Sequence, residues 1–419
     1  MNQGKRTIRD TIALVTVVLF VILLPYDMLY STVAIYPMAL VGLFSLSKQR
    51  LRSIPHQAWI FCIIFLLSAS GYWYTTDLGK AGYLLERQLM ILVFPFLLPL
   101  LIELNGRNIR VILRWFTLSC LAAAAYLFFL CFQHLFIHGL PLSTLAESRF
   151  YNHNFSLPIH IHAGFLSLYF SLAICFMMCE IPSAPKLQKL LWGSGIVLLS
   201  AALYFLASRN TIIALLLVIL FVFPFFMVKK KALAIFVSLV LTSAFLFLGI
   251  KSSYIHQRFS KELLGDIQIS QSNAKDYPES RIVRWQCAAD IIERKPLFGH
   301  GTGDEIPLLQ KEYQKKKMWV SYFEEFNTHN QYLAIVIKHG FAGLFVFLLM
   351  LTYFFYLAVR RGSFIYFSFL FILTIGLITE NIIDANKGIF FFAFFNTLFG
   401  YEALKTLRER KAQKNMNRL

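Results

Sequence analysis

The apolar runs of this chain are mostly 17 to 25 residues long, and that one property fixes its fold class. About 20 helical residues cross the roughly 30 Å of hydrocarbon in a bilayer. Backbone in lipid has no water to bond with, so only helices and closed barrels span it. Barrel strands alternate apolar with polar residues, whereas these runs are apolar without alternation. The expected fold is an all-α, polytopic membrane helix bundle of about twelve transmembrane helices. They fall near 10–25, 29–46, 57–74, 84–102, 111–135, 158–179, 190–207, 211–228, 232–250, 330–358, 364–380 and 388–404. Four regions follow: helices one to nine in 1–250, one large, partly helical external loop in 251–328, helices ten to twelve in 329–404, and a basic cytoplasmic tail in 405–419.

Basic residues mark every second loop, as the positive-inside rule requires. With Lys5, Arg6 and Arg9 cytoplasmic, the groups Lys48/Arg50/Arg52, Arg107/Arg110/Arg114, Lys186/Lys189, Lys229–Lys231, Arg360/Arg361 and the C-terminal tail fall on the same side. That side holds 22 of the 40 basic residues but five of the 22 acids, so nearly all of the net charge of +18 is a topology signal. It attracts anionic membrane lipids. Little basic surplus is left elsewhere, which argues against a nucleic-acid partner.

The first apolar run has a basic start like that of a signal peptide. No small-residue cleavage site follows and another apolar run comes at once, so it reads as the first span. Of the six cysteines, only Cys287 lies in an external segment, which leaves no disulfide framework there.

Segment 251–328 is the only stretch long enough to build a site outside lipid. Its twelve basic and eleven acidic residues balance, so it can fold against the bundle. Ile282, Trp285, Ala288, Ala289 and Ile292 recur at a helical period with Arg281, Arg284 and Arg294 interleaved. Pro296 stops that helix, and Gly299, Gly301 and Gly303 make the next segment a tight turn. Lys315, Lys316 and Lys317 precede Trp319, Tyr322 and Phe323, a mixture that suits headgroup level or a solvated helix end.

Four residues stand out for chemistry, all on the external side. Arg209, in Ser208-Arg209-Asn210 between two apolar runs, is a ligand for an anion or a snorkelling helix-end anchor. Arg87 opens the fourth span beside Glu86, which makes it either an ion-pair partner or a binding residue. Arg281 stands one turn before Trp285, whose indole can pack the guanidinium stem. Its fork of donors suits phosphate oxygens, and a salt bridge to Glu279 or Asp290 is the structural alternative. His329, where the loop enters the tenth span, has the side chain to take a proton from an attacking hydroxyl, or to be a hydrogen-bonded structural residue. Glu380, Asn381, Asp384 and Lys387 form a polar external turn, with an Asp384–Lys387 or Glu380–Lys387 pair shaping the cavity wall. No Asp-x-Asp, His-Glu-x-x-His or Cys-x-x-Cys is present to hold a metal.

Taken together, these features resemble the O-antigen ligase and polymerase superfamily of bacterial envelopes. The matching elements are the dozen spans, the large loop, Ser208-Arg209-Asn210, Ser280-Arg281 followed by Trp285, the turn from Lys295 to Gly301, and His329-Asn330-Gln331-Tyr332-Leu333, covering roughly 195 to 350. The resemblance implies a metal-independent glycosyltransferase without a cofactor, in the inner membrane with its site facing the periplasm. Its donor would be a glycan on undecaprenyl diphosphate and its acceptor a lipid A–core, or another lipid-linked glycan for a polymerase. By position, Arg209 and Arg281 would grip the diphosphate, with Arg87 as a third contact, and His329 would be the base. Some members carry a second histidine two residues before the base, where this chain has Asn327.

Overall fold

The computed structural model describes residues 7–227 and 280–416, with scattered positions between 232 and 243. Most of the expected span at 232–250, the first part of the loop at 251–279 and the triplet Lys229–Lys231 lie outside the described residues. The described chain is all-helical. Helices α1 (Ile8–Leu23), α2 (Met28–Val33), α3 (Ile35–Phe44), α4 (Lys48–Ser53), α5 (Ala58–Phe61), α6 (Ile63–Gly71), α7 (Leu78–Leu101) and α8 (Gly106–Ile137) come first. A connection containing α9 (His153–Ser156) leads to α10 (Ala163–Glu180), α11 (Lys186–Leu206), α12 (Arg209–Leu217) and α13 (Phe223–Met227). The loop contributes α14 (Arg281–Ile292), α15 (Glu305–Lys315) and α16 (Trp319–Phe323), and the chain closes with α17 (Gln331–Arg361), α18 (Phe364–Gly376) and α19 (Asn386–Met416).

Six helices among the described residues are long and apolar enough to cross a membrane: Leu78–Leu101, Gly106–Ile137, Ala163–Ser183, Lys186–Leu206, Arg209–Met227 and Gln331–Arg361. The other expected spans differ for local reasons. Those at 29–46 and 57–74 are interrupted at Ala34 and Cys62, the expected helix at 364–380 ends at Gly376, and α1 has 16 residues. Helix α19 runs on through the basic residues to Met416.

Burial follows apolarity. Helix α10 is apolar on every side and is buried along almost its whole length, as a helix without a polar face must be. It packs against α8, α11 and α18. Aromatic rings fill the centre: Phe20 contacts Phe94, Phe390 and Phe394 at centroid separations of 5.4, 5.9 and 5.0 Å. Edge-to-face and tilted pairs of this kind add to the area buried.

Charged contacts sort into two ends. At one, Arg50 meets Asp10 at 2.6 Å, Arg114 meets Glu180 at 2.7 Å, Arg361 meets Glu402 at 2.7 Å, and Lys405 pairs with Glu103. These segments are the ones that the basic pattern assigns to a single side. At the other end, Lys387 Nζ donates to the carbonyls of Leu24 (2.9 Å) and Asp27 (3.2 Å) and to Ser31 Oγ (3.0 Å), closing the end of α1. The expected pairing of Lys387 with Asp384 or Glu380 is therefore overturned: its amine is consumed by carbonyls, and Asp384 instead meets Lys338 Nζ at 2.6 Å.

The glycine-rich turn after α14 is a clamp. Gly340 breaks the regular geometry of α17 with φ 65° and ψ −172°, which releases carbonyls from their intrahelical partners. His300 N–H donates to Ile337 O at 2.8 Å and Gly301 N–H to Lys338 O at 3.0 Å, while Phe341 N–H and Ala342 N–H donate to Pro296 O and Leu297 O. A Cβ on Gly299 (φ 73°) would stand 2.6 Å from the backbone nitrogens of Gly340 and His339. Asp304 fastens the same loop to the segment before α7, accepting from Thr76 N–H, Thr76 Oγ1 and Asp77 N–H at 2.6 to 3.0 Å. Those bonds hold its carboxyl below the ordinary range against the upward push of burial.

Candidate active site

The turn between α18 and α19 is the hub to which the other elements attach. His329 lies just before α17 with a left-handed φ of 44°, a conformation costly for a residue with a Cβ unless its neighbours impose it. They do. Asn327 Oδ1 accepts the His329 N–H at 2.8 Å, and the Asn330 side chain caps α17, accepting from Tyr332 N–H and Leu333 N–H at 3.0 and 3.1 Å. Between them Thr328 is fully buried, bonded through Oγ1 to Glu305 Oε1 (3.1 Å) and Asn381 Oδ1 (3.2 Å).

Trp285 Nε1 donates to Thr328 O at 3.0 Å. The indole N–H of the residue expected to pack the stem of Arg281 is thus taken by the segment that carries the histidine. Asn327 serves as the acceptor that shapes the turn.

His329 Nδ1 lies 3.2 Å from Glu380 Oε2, and Arg281 Nη2 lies 3.5 Å from Glu380 Oε1. Burial raises the affinity of Glu380 for a proton, but the hydrogen bond and charge of His329, with His162 and Arg281, outweigh it and hold the carboxyl below its ordinary range. An ionised carboxylate only accepts, so Nδ1 of His329 carries the proton and Nε2 keeps a lone pair. All three side chains are partly open, with 23 to 30% of their surface exposed. The alternative pairing of Arg281 with Asp290 does not occur, because Asp290 meets Lys316 Nζ at 2.5 Å; Glu279 lies outside the described residues.

Arg209 is the first residue of α12, half-buried. Next to it, Asn210 Nδ2 donates to the hydroxyl of Thr379, the neighbour of Glu380 in the chain, so the start of α12 is tied to the hub. Arg87 reaches the far end of the same turn, where Nη1 approaches Asp384 O at 3.5 Å. It also bonds the Tyr83 hydroxyl and lies 4.1 Å over the Tyr83 ring. His329 and Arg281 thus share one carboxylate, the start of α12 that carries Arg209 is tied to Thr379, and Arg87 sits at the opposite end of the turn.

Glu380 was legible only as part of a polar turn. His162 and His153, from the connection before α10, have ring centroids 4.2 Å apart, and His162 feels the charges of Glu380, His329 and Arg281. Beneath the cleft, Lys338 is buried between Asp384 (2.6 Å) and Glu305 (3.5 Å), and Gln331 links Asp384 to Ile383 N–H. This layer couples the loop, α17 and the hub.

Long apolar helices, with His329, Glu380 and Arg281 in contact beyond their ends, define a multi-pass membrane protein. Residues 194–348 match the family model described as O-antigen ligase. That stretch, rather more than a third of the chain, is similar to the O-antigen ligase family, as the resemblance of its motifs implied. Arg209, Arg281 and His329 fall within the match; Arg87, His153, His162 and Glu380 fall outside it. No curated protein matches the chain at a significant level.

Proposed function

We propose that the protein is an O-antigen ligase-type inverting glycosyltransferase. It moves a glycan from undecaprenyl diphosphate to a lipid A–core acceptor on the periplasmic side of the bacterial inner membrane. The observation that carries this reading is the constellation of His329, Glu380 and Arg281. Nε2 of His329 takes the proton of the acceptor hydroxyl as its oxygen attacks the anomeric carbon. Glu380 orients the ring through Nδ1 and stabilises the imidazolium as it forms. The acceptor oxygen bonds to the anomeric carbon as the bond to the diphosphate oxygen breaks on the opposite face, which inverts the centre. Negative charge then gathers on the diphosphate, where Arg281, Arg209 and Arg87 are the cations that stabilise it. Diphosphate is a weak base and leaves without protonation, so one base suffices where glycoside hydrolysis needs two carboxyl groups. Arg281 would exchange its contact with Glu380 for the donor's oxygens, leaving the carboxylate to the histidine.

A polymerase, which extends a lipid-linked glycan, uses the same donor and the same chemistry. Deleting the gene separates them: loss of a ligase leaves lipid-linked long chains and uncapped lipopolysaccharide, and loss of a polymerase leaves single-repeat caps. The direct test is reconstitution of purified protein in detergent with a defined prenyl-diphosphate glycan and candidate acceptors. Transfer should proceed without an ion gradient, and His329→Ala should lower it by about 10² or more in protein that remains folded. A wild-type rate in that variant removes the base assignment.

A further inference from the structure

Four consecutive residues of the turn after α14, Lys295, Pro296, Leu297 and Phe298, are exposed, and two of them are large and apolar: Leu297 shows 59% of its surface and Phe298 66%. Their backbone is bonded to the kink of α17, where Phe341 N–H donates to Pro296 O at 2.8 Å and Ala342 N–H to Leu297 O at 3.1 Å. Phe298 O also accepts from the Tyr74 hydroxyl at 3.0 Å. The fit is close enough that a Cβ on Gly340 would collide with the carbonyl of Leu297. The apolar pair is therefore fixed in place, at the level of Gly340.

From that level onward α17 has an exposed apolar flank, with Phe341 at 54% and Phe345 at 63%, continued by Leu348 and Leu349. The helix is long and apolar enough to cross a membrane, so this flank faces lipid. From Phe341 to Val359 it rises about 28 Å, which fills the roughly 30 Å of hydrocarbon and leaves Arg360 and Arg361 at the other edge. Phe341 thus marks one boundary of the hydrocarbon, and the turn bonded to it stands at the same depth. We propose that Leu297 and Phe298 form a wedge seated among the acyl chains of the external leaflet, with the lipid surface as its partner.

The neighbours of the pair suit that depth. Arg294 and Lys295 precede it and are exposed, and such side chains extend their heads to lipid phosphates. Trp73, beside Tyr74, is also exposed, and indole rings collect at headgroup level. An apolar patch of this kind marks an interaction surface. Lipid is favoured over a protein because the patch runs without a break into the flank of α17, which from Phe341 to Leu349 has no polar side chain to specify a partner. The wedge also sets the depth of the site: Gln331 begins α17 at most about 14 Å from Gly340, so His329 is held outside the acyl region but close to it. This inference needs the membrane reading and not the transfer reaction.

The test is depth-dependent quenching in the full-length protein, reconstituted in vesicles of phosphatidylethanolamine and phosphatidylglycerol. An environment-sensitive fluorophore is attached at Phe298→Cys, with Phe345→Cys as the lipid reference and Lys411→Cys as the water reference, and the signal of labelled wild type is subtracted. Phe298 is exposed, so its replacement leaves no cavity, and Leu297→Cys repeats the reading at the neighbouring position. Emission from the Phe298 site should fall with nitroxide-bearing lipids as it does at Phe345, more with the nitroxide near the headgroup than with one near the chain end, and should resist iodide. Iodide quenching equal to that at Lys411, with no loss to nitroxide lipid, would put the turn in water and overturn the proposal. Protection from both quenchers would mean that protein, a second copy included, covers the pair, and would overturn it equally.

Discussion

Glu380 is one carboxylate with two claimants, His329 and Arg281, and the competition sets how the site responds to pH and to substitution. Its folded-state pKa lies below its ordinary value, so the stabilisation it provides is complete above the ordinary carboxylate range and is lost as pH falls through the depressed value. Near neutrality it is a fixed negative charge that accepts a hydrogen bond from the ring of His329. Glu380→Gln keeps the shape but removes the charge. The acid limb of kcat/KM should therefore move to lower pH, and kcat should fall by about 10²; an unmoved profile would mean that the carboxylate is only scaffolding. Arg281→Lys keeps the charge but loses the fork that spans two oxygens. Donor turnover should fall about tenfold or more, the scale of a lost charge-assisted hydrogen bond, and unchanged turnover would mark Arg281 as structural. His329 and Arg281 were legible in the sequence because a titratable or cationic side chain at the rim of an apolar span is costly without a purpose. The partner that joins them was not. Glu380 lies 51 residues from His329 and 99 from Arg281 along the chain, while sequence nearness suggested Lys387, whose amine turned to the carbonyls that end α1.

At the level of elements, the kink of α17 and the turn that fills it depend on each other. Pro296 and the following glycines announce a turn, but local signals do not name the helix that the turn will clamp, and here it is α17, half a turn past the buried Lys338. Both Gly299 and Gly340 have positive φ values; a Cβ on Gly299 would meet the backbone of Lys338–Gly340, and one on Gly340 the backbone of Leu297 and Phe298. Gly299→Ala combines an unfavourable φ with a clash that cannot relax through a side chain. It should destabilise the protein by about 2 kcal/mol or more, seen as a lower midpoint in thermal unfolding in detergent. Gly82→Ala, where an added Cβ meets nothing within 4 Å, is the control and should leave the midpoint unchanged or raise it. Equal midpoints for the two variants would show that the clamp adds nothing to stability. The same limit of local reading applies to α14: its apolar period predicted the helix and the face of Trp285, but only the packed structure assigns the indole N–H to Thr328.

For the whole molecule, the positive-inside pattern was the most legible feature, because it sums many charges. The segments it assigns to one side do meet at one end, through Asp10–Arg50, Glu103–Lys405 and Glu402–Arg361. Span lengths were less legible, since apolar composition does not register the interruptions at Ala34 and Cys62. The charge asymmetry carries an orientation that can be measured. Moving the basic end across a bilayer would desolvate a surplus of cations, whereas the end that holds Glu380 is nearly balanced. Five of the six native cysteines are buried, so a single introduced cysteine can dominate labelling by a membrane-impermeant maleimide. Glu147→Cys, on the connection that leads to His153 and His162, should be modified from outside sealed cells with a permeabilised outer barrier. Lys411→Cys, on the exposed last turns of α19, should be modified only after the inner membrane is opened. The reverse pattern would turn the cleft toward the cytoplasm, where the acceptor proposed here is not presented, and the transfer reaction would have to be abandoned even if every residue of the site proved essential.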